Sequence, residues 1–342
     1  MEKRSASAVE PDLLSIKKLL SLKTMMKHQT VCILLFLSGV SLFLTTCRKD
    51  DDSEELRKES ITISLNNDIN ADSLKSLVTW FQNKGTRFAL SGNHKAIAQS
   101  IMKRFKMLGY TNTRIDSFII SKTYQNILYQ QWQYNVIASL PGILYPDSVC
   151  IIGAHYDDNL KTGNTFTIVP GANDNASGVA AAIEIARVMK LNNYRPRNTI
   201  EFIAFGSEEI GLYGSYAHAG NSRQNLKKIM LMLNNDMIAY QPGNDRSGWI
   251  VNINDYDNSH TLRTNAEDMC KRFTVLKFKN DNTYNKQSDS YPYFINGFKA
   301  LFFASSILDP NYHTLNDLVA NCNFDYCREI VKINCAILVD HN

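Results

Sequence analysis

Two histidines and four carboxylic acids stand where apolar runs of this chain give way to polar residues or to a helix. Cys150-Ile151-Ile152-Gly153-Ala154 leads into His155-Tyr156-Asp157. Phe202-Ile203-Ala204-Phe205 leads into Gly206-Ser207-Glu208-Glu209, and Ile229–Leu233 into Asn234-Asn235-Asp236. Leu301-Phe302-Phe303-Ala304 leads through residues 305–311 into Tyr312-His313. Asp174 lies in Gly171-Ala172-Asn173-Asp174-Asn175-Ala176-Ser177-Gly178, just ahead of an Ala-rich helical stretch. Imidazole and carboxylate are the non-thiolate ligands of zinc, and catalytic zinc keeps one position open for water. Two histidines with three carboxylates allow one carboxylate to bridge a metal pair roughly 3.5–4 Å apart. That leaves one Glu of the adjacent pair to hold a water. Asp157 is placed to accept the other ring N–H of His155, which sets its tautomer.

Each residue alone has a plainer explanation. His155 could be a satisfied structural histidine, Asp174 a helix cap, and Glu208-Glu209 an exposed acidic turn. Adjacent carboxylates directly after a buried strand are costly as decoration. Residues at successive strand ends converge where open α/β sheets place their active sites.

The elements that must position these groups follow from hydrophobic period. Residues 61–116 read as helical, with Asp72 or Ser73 as a cap for Leu74, Leu77, Val78 and Phe81, and a second helix through Ala96, Ile97, Ile101, Phe105 and Leu108 ending at Gly109. Strands are predicted at Asn135–Leu140, Val149–Ala154, Thr199–Phe205, Ile229–Leu233, Trp249–Ile253 and Ala300–Ala304. Helices lie between and after them, at Gly178–Leu191, Leu262–Phe273 and a tail carrying Tyr326, Ile330, Ile333 and Ile337. The alternation predicts an α/β fold, with a mostly parallel mixed sheet sandwiched between helices.

A 342-residue chain with 44% hydrophobic and 20% charged residues can bury a substantial core. Residues 1–46 carry a net +3 and the remainder +1 of the overall +4, which excludes a nucleic-acid footprint. After Lys27 and His28 the chain is apolar from Val31 to Leu44, too short for the roughly 20 residues of a spanning helix and suited to a signal peptide. Met25 or Met26 offers an alternative start. Leu44-Thr45-Thr46-Cys47 resembles a bacterial lipobox, and the acidic run after it resembles a lipoprotein surface-export signal. The expected organisation is a signal peptide over 1–46, a flexible acidic tether over 47–59 and one domain over 60–342. The product would be a lipoprotein of the cell envelope, on the outer membrane, held by lipid on Cys47. Cys32 leaves with the signal and Cys150 reads as a buried thiol. Cys270, Cys322, Cys327 and Cys335 could oxidise in pairs after export. His94, His218, His260 and His341 read as surface or structural.

His155-Tyr156-Asp157, Asn173–Gly178, Ser207–Ser215, Asn235-Asp236 and Tyr312–Asp317 together resemble the co-catalytic zinc exopeptidases of metallopeptidase family twenty-eight, over about residues 60–340. The resemblance implies a zinc-aminopeptidase, phosphorylase/hydrolase-like fold and two zinc ions per chain. His155 and Asp236 would hold one ion, Glu209 and His313 the other, and Asp174 would bridge them, with a cis peptide at Asp174–Asn175. Glu208 would be the general base, with Asp157 supporting His155. Gln287–Phe294 resembles a segment near the family's substrate pocket, which nominates Asp289 and Tyr291, with Ser290 where the family commonly has His. The implied activity is removal of N-terminal residues from peptides by a monomer. Glutaminyl cyclase and carboxypeptidase activities are the alternatives on the same scaffold. The cyclase is disfavoured because Glu209 runs straight into Ile210-Gly211-Leu212-Tyr213-Gly214 and Tyr, not Trp, precedes His313.

Overall fold

The computed structural model describes residues 53–342 and, ahead of them, residues 12, 17, 21–22 and 25–26. The apolar run at 31–44 and Cys47 lie outside the described residues. No helix of the described residues is long and apolar enough to cross a membrane. Contacts divide the chain into Met1–Glu59 and Ser60–Asn342. In the first unit, residues 53–59 are helical, where the sequence suggested a flexible acidic tether. Glu54 and Glu55, near the N-terminal end of this stretch, complement the helix dipole.

The second unit opens on helical residues 60–68 (α1), then α2 (Ala71–Gln82) and α3 (His94–Met107). The cap of α2 is Asn70, two residues ahead of the expected Asp72; its side chain accepts from the N–H groups of Asp72 and Ser73. The predicted helical stretch to residue 116 is overturned at its end, where β1 (Thr113–Tyr124) begins. Strands β2 (Ile127–Leu140), β3 (Tyr145–His155), β4 (Asn198–Phe205), β5 (Lys228–Asn235), β6 (Ile250–Asn254), β7 (Lys277–Lys279) and β8 (Ala300–Ser305) complete one sheet of order β1-β2-β4-β3-β5-β8-β6-β7. The central strands β4, β3, β5 and β8 run parallel, and β1–β2, β2–β4 and β6–β8 are antiparallel. This is the mixed, mostly parallel sheet that the alternation predicts.

Alternation along each central strand feeds two cores. Cys150, Ile152 and Ala154 of β3 pack with α4 (Ser177–Leu191), α6 (His260–Phe273) and α8 (Phe324–Asp340). Val149 and Ile151 pack on the other face with α5 (Tyr213–Gln224) and α7 (Ser290–Ile295). All eight residues of β4 are buried, as in a strand covered on both faces. Cys150, Cys270, Cys322, Cys327 and Cys335 are unpaired, because each packs as a small apolar side chain within or against the core.

His218 of α5 belongs to the second core, where its Nδ1 meets the Tyr293 hydroxyl at 2.6 Å. Burial, helped by Lys227, pushes its pKa down to about 3. The unfolded chain therefore binds a proton here that the folded chain refuses. This group subtracts stability as pH falls from 6.5 toward about 3. An NMR titration is expected to keep the His218 ring neutral down to about pH 4. A midpoint near its ordinary value of 6.5 would contradict this packing.

Candidate metal centre

The carboxyl ends of β3, β4 and β5 open into a cavity of about 380 Å³. His155 closes β3, Asp236 follows β5, and Glu208 and Glu209 follow β4 after a sharp turn. Ser207, which makes that turn, has a left-handed φ of 65°. Met237 and His313 are also left-handed, at 54° and 57°. Such backbone is costly for residues with a Cβ and collects at functional sites. Asp174 stands just ahead of the Ala-rich helix, in the kinked turn Ala172–Ala176 that enters α4. Its peptide bond to Asn175 is cis.

These side chains meet. His155 Nε2 lies 3.4 Å from Asp174 Oδ1, 3.5 Å from Asp236 Oδ1 and 3.9 Å from Glu208 Oε2. His313 Nε2 lies 3.1 Å from Asp174 Oδ2 and 2.9 Å from Glu209 Oε1. Asp174 thus presents one oxygen to each imidazole. Possible ligand atoms of His155, Asp174 and Glu209, and of His155, Glu208 and Asp236, fall within 4.8 Å of one another.

Buried charge dominates the electrostatics. Burial would lower the pKa of His155, but Glu208, Asp236 and Asp174 raise it well above its usual value. Burial likewise opposes His313, which bonds to Asp174 and Glu209 push up to about 10. The Glu208 carboxyl is raised well above the carboxylate range by burial first, and also by Glu209, Asp236 and Asp289. Two buried and two partly buried carboxyl groups facing two imidazoles form a donor set that fits divalent cations: hard oxygens, borderline nitrogens and surplus negative charge.

A second layer of residues holds the first. The carboxylate of Asp157 accepts the backbone N–H groups of Glu208 and Glu209 at 3.0 and 3.2 Å. The His155 Nδ1 proton goes to the Asp157 carbonyl at 3.1 Å, with the carboxylate at 3.9 Å. Asp157 therefore orients the ring through its main chain and the paired glutamates through its side chain. Ser288 donates to Asp236 at 2.6 Å. Asp317 accepts the N–H groups of Asn173 and Asp174 at 2.7 and 3.0 Å. Arg87 is fully buried; it pairs with Asp158 at 3.2 Å and donates to Gly171 O at 2.7 Å. Gly178 lets α4 approach the sheet, where a Cβ would lie 2.8 Å from that of Ala154.

Asp158 and Asp317 lie inside or beside motifs visible in the sequence. Arg87 falls between the two helices predicted from the sequence. Asp289 and Tyr291, expected at the substrate pocket, are not among the residues lining the cavity. Asp289 stands at the N-cap position of α7 without a side-chain capping bond and is fully buried, which pushes its carboxyl up to about 7. Tyr291 packs on Tyr256 and Phe294. Gln287, at the start of the same segment, lines the cavity instead.

Residues 135–338, more than half of the chain and spanning both histidines and all four carboxylic acids of the cluster, match Peptidase family M28. The chain belongs to that family. Leucine aminopeptidase 1 of Trichophyton equinum is 31% identical over 214 residues, covering 59% of this chain and 56% of the relative. A probable zinc metalloprotease of Pyricularia oryzae is 42% identical over 110 residues, covering 32% of this chain and 22% of the relative. The chain thus spans about half the length of the curated leucine aminopeptidases it matches. Among solved structures, the LapA aminopeptidase of Legionella pneumophila superposes with a TM-score of 0.70 at 20% identity, covering 83% of this chain and 74% of that one. A Bacteroides thetaiotaomicron glutaminyl cyclase superposes with 0.63 at 16% identity, covering 80% and 99%. At such identities the likeness is one of fold. The zinc-aminopeptidase fold expected from the sequence is the fold observed.

Proposed function

We propose that this M28 protein is a zinc aminopeptidase with two metal positions. His155 and Asp236 would hold one ion, Glu209 and His313 the other, and Asp174 would supply an oxygen to each. Bound zinc would supply Lewis acidity, polarising a scissile carbonyl and acidifying water. Glu208 is the general base: it takes the proton of the attacking water and delivers it to the leaving amine. Asp157 keeps Glu208 and Glu209 at fixed positions through their N–H groups.

The observation that carries this reading is the convergence of two imidazoles and four carboxylates at one end of the sheet, where all but His313 line the cavity and His313 meets Asp174 and Glu209. The cavity also favours an amino terminus as the end recognised. Glu208, Glu209 and Asp309 line it, and among its described lining residues Lys161 is the one ammonium or guanidinium. A substrate α-ammonium finds partners there more readily than a substrate carboxylate does. The leucine aminopeptidase relatives support the same choice.

We further propose that the domain of residues 60–342 acts as a monomer on peptides and is anchored to the cell envelope by lipid on Cys47. The apolar run closed by Leu44–Cys47 supports the anchor. Metabolic labelling with a fatty-acid analogue is expected to mark the full chain and not Cys47→Ser; equal labelling of both would refute the anchor.

Glu208→Gln is expected to keep its bound zinc and to lose about 10²–10⁴-fold in kcat on aminoacyl substrates. Chelation is expected to abolish turnover of the unaltered protein. Turnover that survives either change would remove the mechanism.

A further inference from the structure

The cavity has a second end, away from the metal-facing residues, built on the β6–β8 ladder. Asn252 pairs with Ala304 and Asn254 with Phe302, and all four line the cavity. Between them, Val251 and Ile253 point into the core, so the strand turns two carboxamides toward the cavity. Asn252 is nine-tenths buried; it donates to Ser305 O at 3.3 Å and its Oδ1 has no partner in the protein. Asn254 Oδ1 accepts the N–H of Asp281 at 2.9 Å, which fixes Asp281 at the cavity. The Asp281 carboxylate takes a bond of 2.6 Å from the Thr283 hydroxyl. Bonds from Thr283 hold its carboxyl below the usual range, so it stays ionised at neutral pH. Lys279 stands 3.9 Å away with both partners over two-fifths exposed, an exchangeable neighbour. Lys161 lines the cavity on the His313 side, its Nζ over the Tyr312 ring.

This end therefore offers acceptors and a negative charge, while Met237, Phe302, Ile307 and Leu308 give the cavity apolar walls. An aliphatic first side chain would cover the walls, leave the Asn252 oxygen without a donor and forgo the charge of Asp281, which costs affinity. A long stem with a cationic head satisfies both surfaces.

We infer that the cavity selects peptides whose first residue is lysine or arginine, with the stem against Met237, Phe302 and Ile307 and the charge taken by Asp281 and Asn252. This assignment rests on the aminopeptidase reading and names its substrate class. It departs from the leucine preference in the names of the fungal relatives. Asp281 and Asn252 are this chain's specificity-determining residues.

The test compares lysyl, arginyl, leucyl and norleucyl p-nitroanilides on the zinc-loaded protein, because norleucine keeps the lysine stem and lacks its ammonium. The expected kcat/KM for lysyl over norleucyl is at least about tenfold, falling to within about threefold in Asp281→Asn. A ratio near one in the unaltered protein, or a ratio unmoved by Asp281→Asn, overturns the assignment. Calorimetry on Glu208→Gln with Lys-Ala-Ala and norleucyl-Ala-Ala gives a reading independent of turnover. At least about fivefold tighter lysyl binding is expected, and equal binding overturns the assignment. Lysyl preference in binding with no hydrolysis of any substrate supports this pocket and defeats the aminopeptidase reading alone.

Discussion

Asp174, Glu208, Glu209 and Asp236 crowd their carboxyl groups against the imidazoles of His155 and His313 at the end of a buried sheet. Water that would normally separate such charges is largely excluded there, so their mutual repulsion is strong. The two imidazoles answer part of it, and cations at the same place would answer the rest. Much of the surrounding architecture reads as support for that concentration of charge. Asp157 and Asp317 accept backbone N–H groups of the ligand-bearing turns, and Ser288 donates to Asp236. Arg87 sets a buried positive charge beside the turn that carries Asp174.

Position comes from the sheet. Parallel β4, β3, β5 and β8 bring their carboxyl ends to one edge of the molecule, where helices begin and backbone groups are free to cap side chains. Left-handed turns at Ser207, Met237 and His313 then redirect the chain so that ligand side chains face inward. The same edge continues along β6 and β8 into the pocket proposed for a substrate's first residue. On that reading, metal binding and specificity share one scaffold but use different strands.

Much of this was legible beforehand because the relevant residues break the rules of their surroundings. Glu208-Glu209 after Phe202–Phe205 and His155 after Cys150–Ala154 are polar groups at the ends of strands that must be buried. The central strands were legible for the same reason, as unbroken apolar runs. β1 was read as the end of a helical stretch because Thr113–Tyr124, an edge strand, alternates only weakly. β7 has three residues, too few to show a period. Arg87 was invisible because its partners, Asp158 and the carbonyls of Tyr156, Pro170 and Gly171, are remote in sequence. Asp289 was misplaced because only tertiary packing decides whether the turn before α7 faces the cavity or the layer beneath it. Asn252 and Asn254 passed unnoticed in a short strand whose paired face was unknown.

Anomalous diffraction from crystals grown with zinc tests the account most directly. Two peaks are expected, one among His155, Asp174 and Asp236 and the other among Asp174, Glu209 and His313, with Glu208 beside both and bound to neither. Zinc elsewhere in the fold, or one ion held by Glu208 itself, would contradict it.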